Sequence, residues 1–204
     1  QYVWCESSAV GEQIPVNIIE GDERTKILTH FGWGKEATEH PAQYWVLQCQ
    51  QRLSPNTAFK LVYGQGVATP TNITNNIQKV FNYTVREEFK ANFSCVRENA
   101  QAACMPLESM RLNFNAMLPL ALAEQIVLKG SNGQTYQPII SDNDRQSGLV
   151  YGLSFPKPLP EESTFQVVLP ADIQDDSGRK LANADQFPLN VATAEMPPLA
   201  KFAA

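Results

Sequence analysis

The residues that could do chemistry are few, and the most suggestive run is Val10-Gly11-Glu12-Gln13. An internal thioester is built on the pattern C-x-E-Q, in which a Cys thiol bonds to the side-chain carbonyl of a Gln three residues later. Here the position three residues before Gln13 is Val10, and the nearest cysteine, Cys5, would close a large loop instead of a tight turn. No thioester forms at this Gln. The run reads instead as a turn, with Gly11 supplying permissive backbone, that leads into a strand over residues 13–19.

The remaining reactive groups form no constellation. His30 and His40 lie in a segment without a nucleophile elbow, so nucleophilic catalysis has no partner set there. The acidic pairs Glu87-Glu88, Glu161-Glu162 and Asp175-Asp176 stand in turn-like or charged contexts and read as solvated surface. Ser141-Asp142-Asn143-Asp144 and the run from Asp172 to Gly178 have the composition of calcium loops, yet neither has EF-hand spacing with its terminal Glu. The second reads as a turn with Gly178 at positive φ. No catalytic residue, cofactor site or metal ligand is therefore expected.

Four cysteines allow three pairings. Cys95 and Cys104 flank a polar loop with hairpin-like spacing, which favours Cys95–Cys104 together with Cys5–Cys49. The absence of a C-x-x-C pair, and of histidines near these cysteines, disfavours a metal centre. Disulfides would place the chain in the periplasm or outside the cell. N-x-S/T triplets begin at Asn72, Asn82 and Asn92, which are read as surface positions. Trp33, Tyr44 and Trp45 could form a flat platform for carbohydrate or peptide. A large aromatic on a strand of a small sandwich is more often core, so the platform is the second reading.

The elements that must position these residues are mostly strands. Runs rich in β-branched and aromatic residues, separated by Gly, Pro, Asn and Asp, occupy 44–49, 58–63, 80–85, 111–114, 125–128, 149–155, 164–169 and 187–191. Several alternate apolar with polar, the pattern of an antiparallel sheet with one buried face. Helix is expected only over 22–31 and 119–124, and 14 prolines argue against long helices. Length allows one large domain or two of about 100 residues, either with its own core. With 16 basic against 21 acidic side chains and no basic run, nucleic acid is excluded as a partner. No apolar run approaches the ~20 residues of a membrane span. The opening at Gln1, without Met or an apolar leader, suggests a processed or excised product.

An internal repeat at an offset of 106 residues decides for two domains. It lays 53–63 over 159–169 without gaps, and pairs Leu47 with Leu153, Phe81 with Phe187 and Val85 with Val191. The expected fold is all-β, two tandem antiparallel sandwiches over 1–86 and 87–204, with no Gly/Ser-rich linker at the boundary.

In the second domain, Met105-Pro106-Leu107, Arg111-Leu112-Asn113-Phe114-Asn115, Pro158-Leu159-Pro160, the strand 164–170 and Asp175-Asp176-Ser177-Gly178-Arg179 resemble a bacterial Ig-like domain of the SbsA type. With residues 93–100, 181–189 and 197–202 added, the whole chain resembles the N-terminal region of bacterial α2-macroglobulin-like proteins, with a macroglobulin-like first domain. The resemblance implies part of a larger periplasmic or cell-surface protein that traps proteases, anchored to the membrane, if at all, through a segment absent here. Its partners would be the remaining domains of the parent chain, proteases as targets of the full-length protein, and another cell-envelope protein. The family's bait segment and C-x-E-Q thioester match no position of this sequence, so no functional residue carries over. The rival reading is an independent secreted module that binds a peptide or glycan through Trp33, Tyr44 and Trp45 or through an exposed sheet edge. A third reading, a secreted hydrolase fragment, has little residue-level support.

Overall fold

The computed structural model describes residues 2–11, 13–68 and 72–197. Glu12 of the G-E-Q run and residues 198–202 of the last matched motif lie outside them. The chain divides into two compact units, Gln1–Glu87 and Glu88–Ala204.

The first unit contains β1 (Val3–Glu6), β2 (Gln13–Ile19), α1 (Gly21–His30), α2 (Gly34–Glu39), β3 (Val46–Cys49), β4 (Ala58–Tyr63) and β5 (Lys79–Thr84). All pairings are antiparallel, in the order β3-β2-β1-β4-β5. Gly11 turns the chain into β2 at φ 74°. α1 carries Asp22 and Glu23 in its first turn and His30 in its last, signs that suit the helix dipole.

This sheet is folded along β2. β1 pairs with β2 as far as Pro15, and β3 takes over from Val16, on the other side of β2 in the sheet order. Strands two apart in a flat sheet lie roughly 9.5 Å from one another. The Cα atoms of Cys5 in β1 and Cys49 in β3 are 6.0 Å apart and joined by a disulfide. β3 therefore lies over β1 as the start of a second layer. Where the sequence leads one to expect two full sheets, the described residues of this unit hold one folded sheet, because its second layer stops after two strands.

The second unit contains β6 (Ala91–Ser94), β7 (Arg111–Pro119), α3 (Leu120–Ala123), β8 (Val127–Gly130), β9 (Thr135–Tyr136), α4 (Asp142–Ser147), β10 (Leu149–Ser154), β11 (Thr164–Val168) and β12 (Leu189–Ala192). Two antiparallel sheets, β10-β7-β6 and β12-β11-β8-β9, contribute to a single core. Leu112, Phe114, Ala116 and Leu118 alternate along β7 and are buried against Leu128, Phe165 and Val167 of the other sheet's strands. Cys95–Cys104 closes a loop beside this core.

The offset of 106 residues carries strand onto strand: Ala58, which opens β4, falls on Thr164, which opens β11. The cores differ greatly. Among the described residues, 21 hydrophobic side chains are buried in the second unit against five in the first, namely Cys5, Ile14, Leu28, Ala37 and Val62. Ten of the thirteen exposed large hydrophobics belong to the first unit, so its apolar surface is only partly covered.

Candidate interaction surface in the first unit

Residues opposite one another across a ladder share a face. Cys5, Leu61 and Phe81 stand in one such row, and Phe59 with Tyr83 in the next on the same side. The folded-over β3, with Trp45 just before it, supplies Leu47 and Cys49 from above. Together Cys5, Trp45, Leu47, Cys49, Phe59, Leu61 and Tyr83 line an open groove of about 370 Å³. The disulfide staples its two walls, and the Phe59 and Tyr83 rings stack at 5.5 Å with 28° between planes. Among the described residues, no charged side chain lines it.

The opposite face is mixed: Pro15, Trp4, Val62 and Val80 form an apolar row across the ladder, and the row beside it is polar. Gln13, Glu6, Lys60 and Asn82 form one row across β2, β1, β4 and β5, along a recess of about 640 Å³. Trp4 Nε1 donates to Glu6 Oε1 at 2.7 Å, and the Trp4 ring lies against Gly64. This row can hydrogen-bond a polar ligand. Among the described residues the recess is lined by neither His nor Cys; its ionisable side chains beside Ser7 and Ser8 are Glu6, Lys60 and Tyr83, and Ser7 donates to the Ala58 carbonyl at 3.2 Å.

The three aromatics singled out from the sequence separate into two places. Trp33 and Tyr44 form a tilted pair with centroids 5.9 Å apart, behind which Arg24 donates to the carbonyls of Tyr44 and Pro41. Trp45 lies in the groove, its Nε1 donating to the Ala42 carbonyl at 3.1 Å. Trp33 and Trp45 are 53% and 52% exposed, so the core reading does not hold for these two, and Tyr44 is half-buried. Of the three, only Trp45 touches the groove. Leu47, Phe59, Leu61 and Tyr83 carried no functional signal in the sequence, since alternation marks them simply as core-facing.

His30 packs edge-on against Phe31, and both histidines are exposed. Asn72, Asn82 and Asn92 are exposed. Ser141 caps α4, its hydroxyl accepting from Asp144 N at 3.2 Å. The solvated reading of Asp175 is corrected. Its side chain is buried, accepts from the backbone N–H groups of Ser177 and Arg179, and meets the Arg179 guanidinium at 2.6 Å. A turn whose donors converge needs an acceptor inside it, and Asp175 fills that place. Gly178 has φ 74°, as the turn reading requires. Among the described residues, no group of three or more His, Cys, Asp and Glu is placed to hold a metal.

No protein-family model, curated protein or solved structure matches this chain. The two disulfides point to an oxidising compartment, periplasmic or extracellular. No described helix is long and apolar enough to cross a membrane.

Proposed function

We propose that the chain is a pair of non-catalytic β-domains from the N-terminal part of a bacterial α2-macroglobulin-like protease trap, and that its first unit is built to be covered by a partner. In this reading the first unit is a macroglobulin-like domain and the second an SbsA-type Ig-like sandwich. They scaffold the trap or contact another envelope protein. The observation that carries the interaction role is the open apolar groove between β3 and β4, where Leu47, Cys49, Phe59 and Leu61 are left half-buried and Trp45 and Tyr83 exposed. The two-sheet core of the second unit is compatible with an Ig-like sandwich, and the disulfides suit an envelope location.

Two tests bear on this. The reading frame downstream of Ala204 should encode further β-domains of a protease trap, with or without C-x-E-Q; a frame that closes at once removes the parent protein. Turnover of peptide or glycan by the purified chain, lost on replacing Glu6 or a histidine, would remove the non-catalytic reading.

The second reading is a free-standing module for a peptide or glycan. The Trp33–Tyr44 pair, with Trp33 exposed, and the polar row of Glu6, Gln13, Lys60 and Asn82 favour it. Under it, Trp33→Ala folds normally and abolishes retention on a glycan array.

A further inference from the structure

We propose that the groove of the first unit receives an extended polypeptide segment, which adds as a β-strand to the outer edge of β3 and lays its alternate side chains over Leu61, Phe59 and Tyr83. The proposal rests on the reading of this unit as an interaction domain, and it names the occupant.

The backbone selects a strand. Among the described residues β3 pairs with β2 alone, so its other edge presents a row of N–H and C=O groups that a strand satisfies and a helix does not. The fold along β2 puts that edge in place: β3 lies over β1, and the next strand position, about 4.8 Å further on, falls over β4.

In the second unit the corresponding edge, that of β10, is in use: Ile139 and Ser154 exchange both backbone hydrogen bonds there, at 2.7 and 3.1 Å. At the offset of 106 residues, Leu47, Cys49, Phe59 and Leu61 correspond to Leu153, Phe155, Phe165 and Val167, all four buried. There the short layer has three strands, β10-β7-β6. In the first unit it has two, β3 and β2, and Leu47, Cys49, Phe59 and Leu61 are only half-buried. The third strand of the second unit, β6, pairs with β7; the matching side of β2 is taken by β1 at the fold. The edge left for a third strand is that of β3.

The lining fixes the chemistry of the occupant. Among the described residues, Trp45 and Tyr83 bring the only side-chain hydrogen-bonding groups to the rim and no charge, so the groove rejects charged residues at inward positions. It takes a segment of four to six residues that alternates apolar with polar.

Residues 89–94 of this chain, Phe-Lys-Ala-Asn-Phe-Ser, alternate in this way and include β6. A blocked synthetic peptide of that sequence is the probe, added to the oxidised full chain and followed by amide NMR. The expected result is saturable binding with a Kd below about 1 mM. Shifts should be confined to residues 45–49 and to Phe59, Leu61 and Tyr83, and exchange of the β3 amides should slow. Leu47→Asp and Trp45→Ala should each weaken binding by about tenfold or more, and so should rearranging the peptide to make its apolar residues contiguous. Trp45→Ala guards against misfolding of Leu47→Asp, since Trp45 is half exposed.

Three results overturn the proposal: no saturable binding up to about 5 mM, shifts centred on β5, or dimerisation of the chain that Leu47→Asp abolishes. The last would assign the groove to a second copy. A failed peptide leaves the non-catalytic scaffold reading intact, whereas turnover would remove that reading whatever the peptide does.

Discussion

Asp175 is the side chain whose loss the second unit should feel most sharply among its polar residues. Its carboxylate is fully buried and takes two backbone N–H groups as well as the Arg179 guanidinium. Asp175→Ala takes the shared acceptor away from these three donors and should cost about 3 kcal/mol. Asp175→Asn keeps an acceptor and should cost less. Trp45→Ala is the contrast: the ring is half exposed and should lose under about 1 kcal/mol. All three tryptophans lie in the first unit, so their fluorescence follows that unit during urea unfolding, while circular dichroism follows both. Asp175→Ala should move the dichroism transition and leave the fluorescence transition in place.

Among the elements, β-branched and aromatic runs bounded by turn residues were the most legible in the sequence. β4 spans the predicted 58–63, and β2 the predicted 13–19. β7 runs five residues beyond its predicted end, through Asn115, Ala116, Met117, Leu118 and Pro119. α4 went unseen because Asp142–Ser147 has no apolar periodicity; its caps, Ser141 and Gly148 at φ 73°, were the only signal. Those caps predict that Ser141→Ala costs about 1 kcal/mol, read from the dichroism transition. β1, four residues with Trp4 and Cys5 at its centre, was too short for any period to show. The groove was illegible for a different reason. Alternation says that Phe59 and Leu61 face one side of a sheet, but how many strands stand opposite depends on the fold at Pro15, which no local pattern reports.

The whole molecule pairs a well-filled second unit with a sparsely filled first one, and the disulfides act differently on the two. Chain-entropy bookkeeping gives about 4 kcal/mol for a closure of 44 residues and about 2.5 kcal/mol for one of nine. The first unit buries few side chains and holds β3 over β1 through Cys5–Cys49, so replacing both cysteines by Ala should abolish its cooperative fluorescence transition. The same change at Cys95 and Cys104 should leave the second unit folded at lower stability. An incompletely covered apolar layer in the first unit of the folded, oxidised chain can be read from native-state hydrogen exchange without any added partner. The amides of β7, β10 and β11 should exchange only through global unfolding of their unit, while those of β3 should exchange much faster, through local opening. Equal protection of β3 and β7 would contradict it, because the first unit would then have a closed core and no layer left to receive a partner.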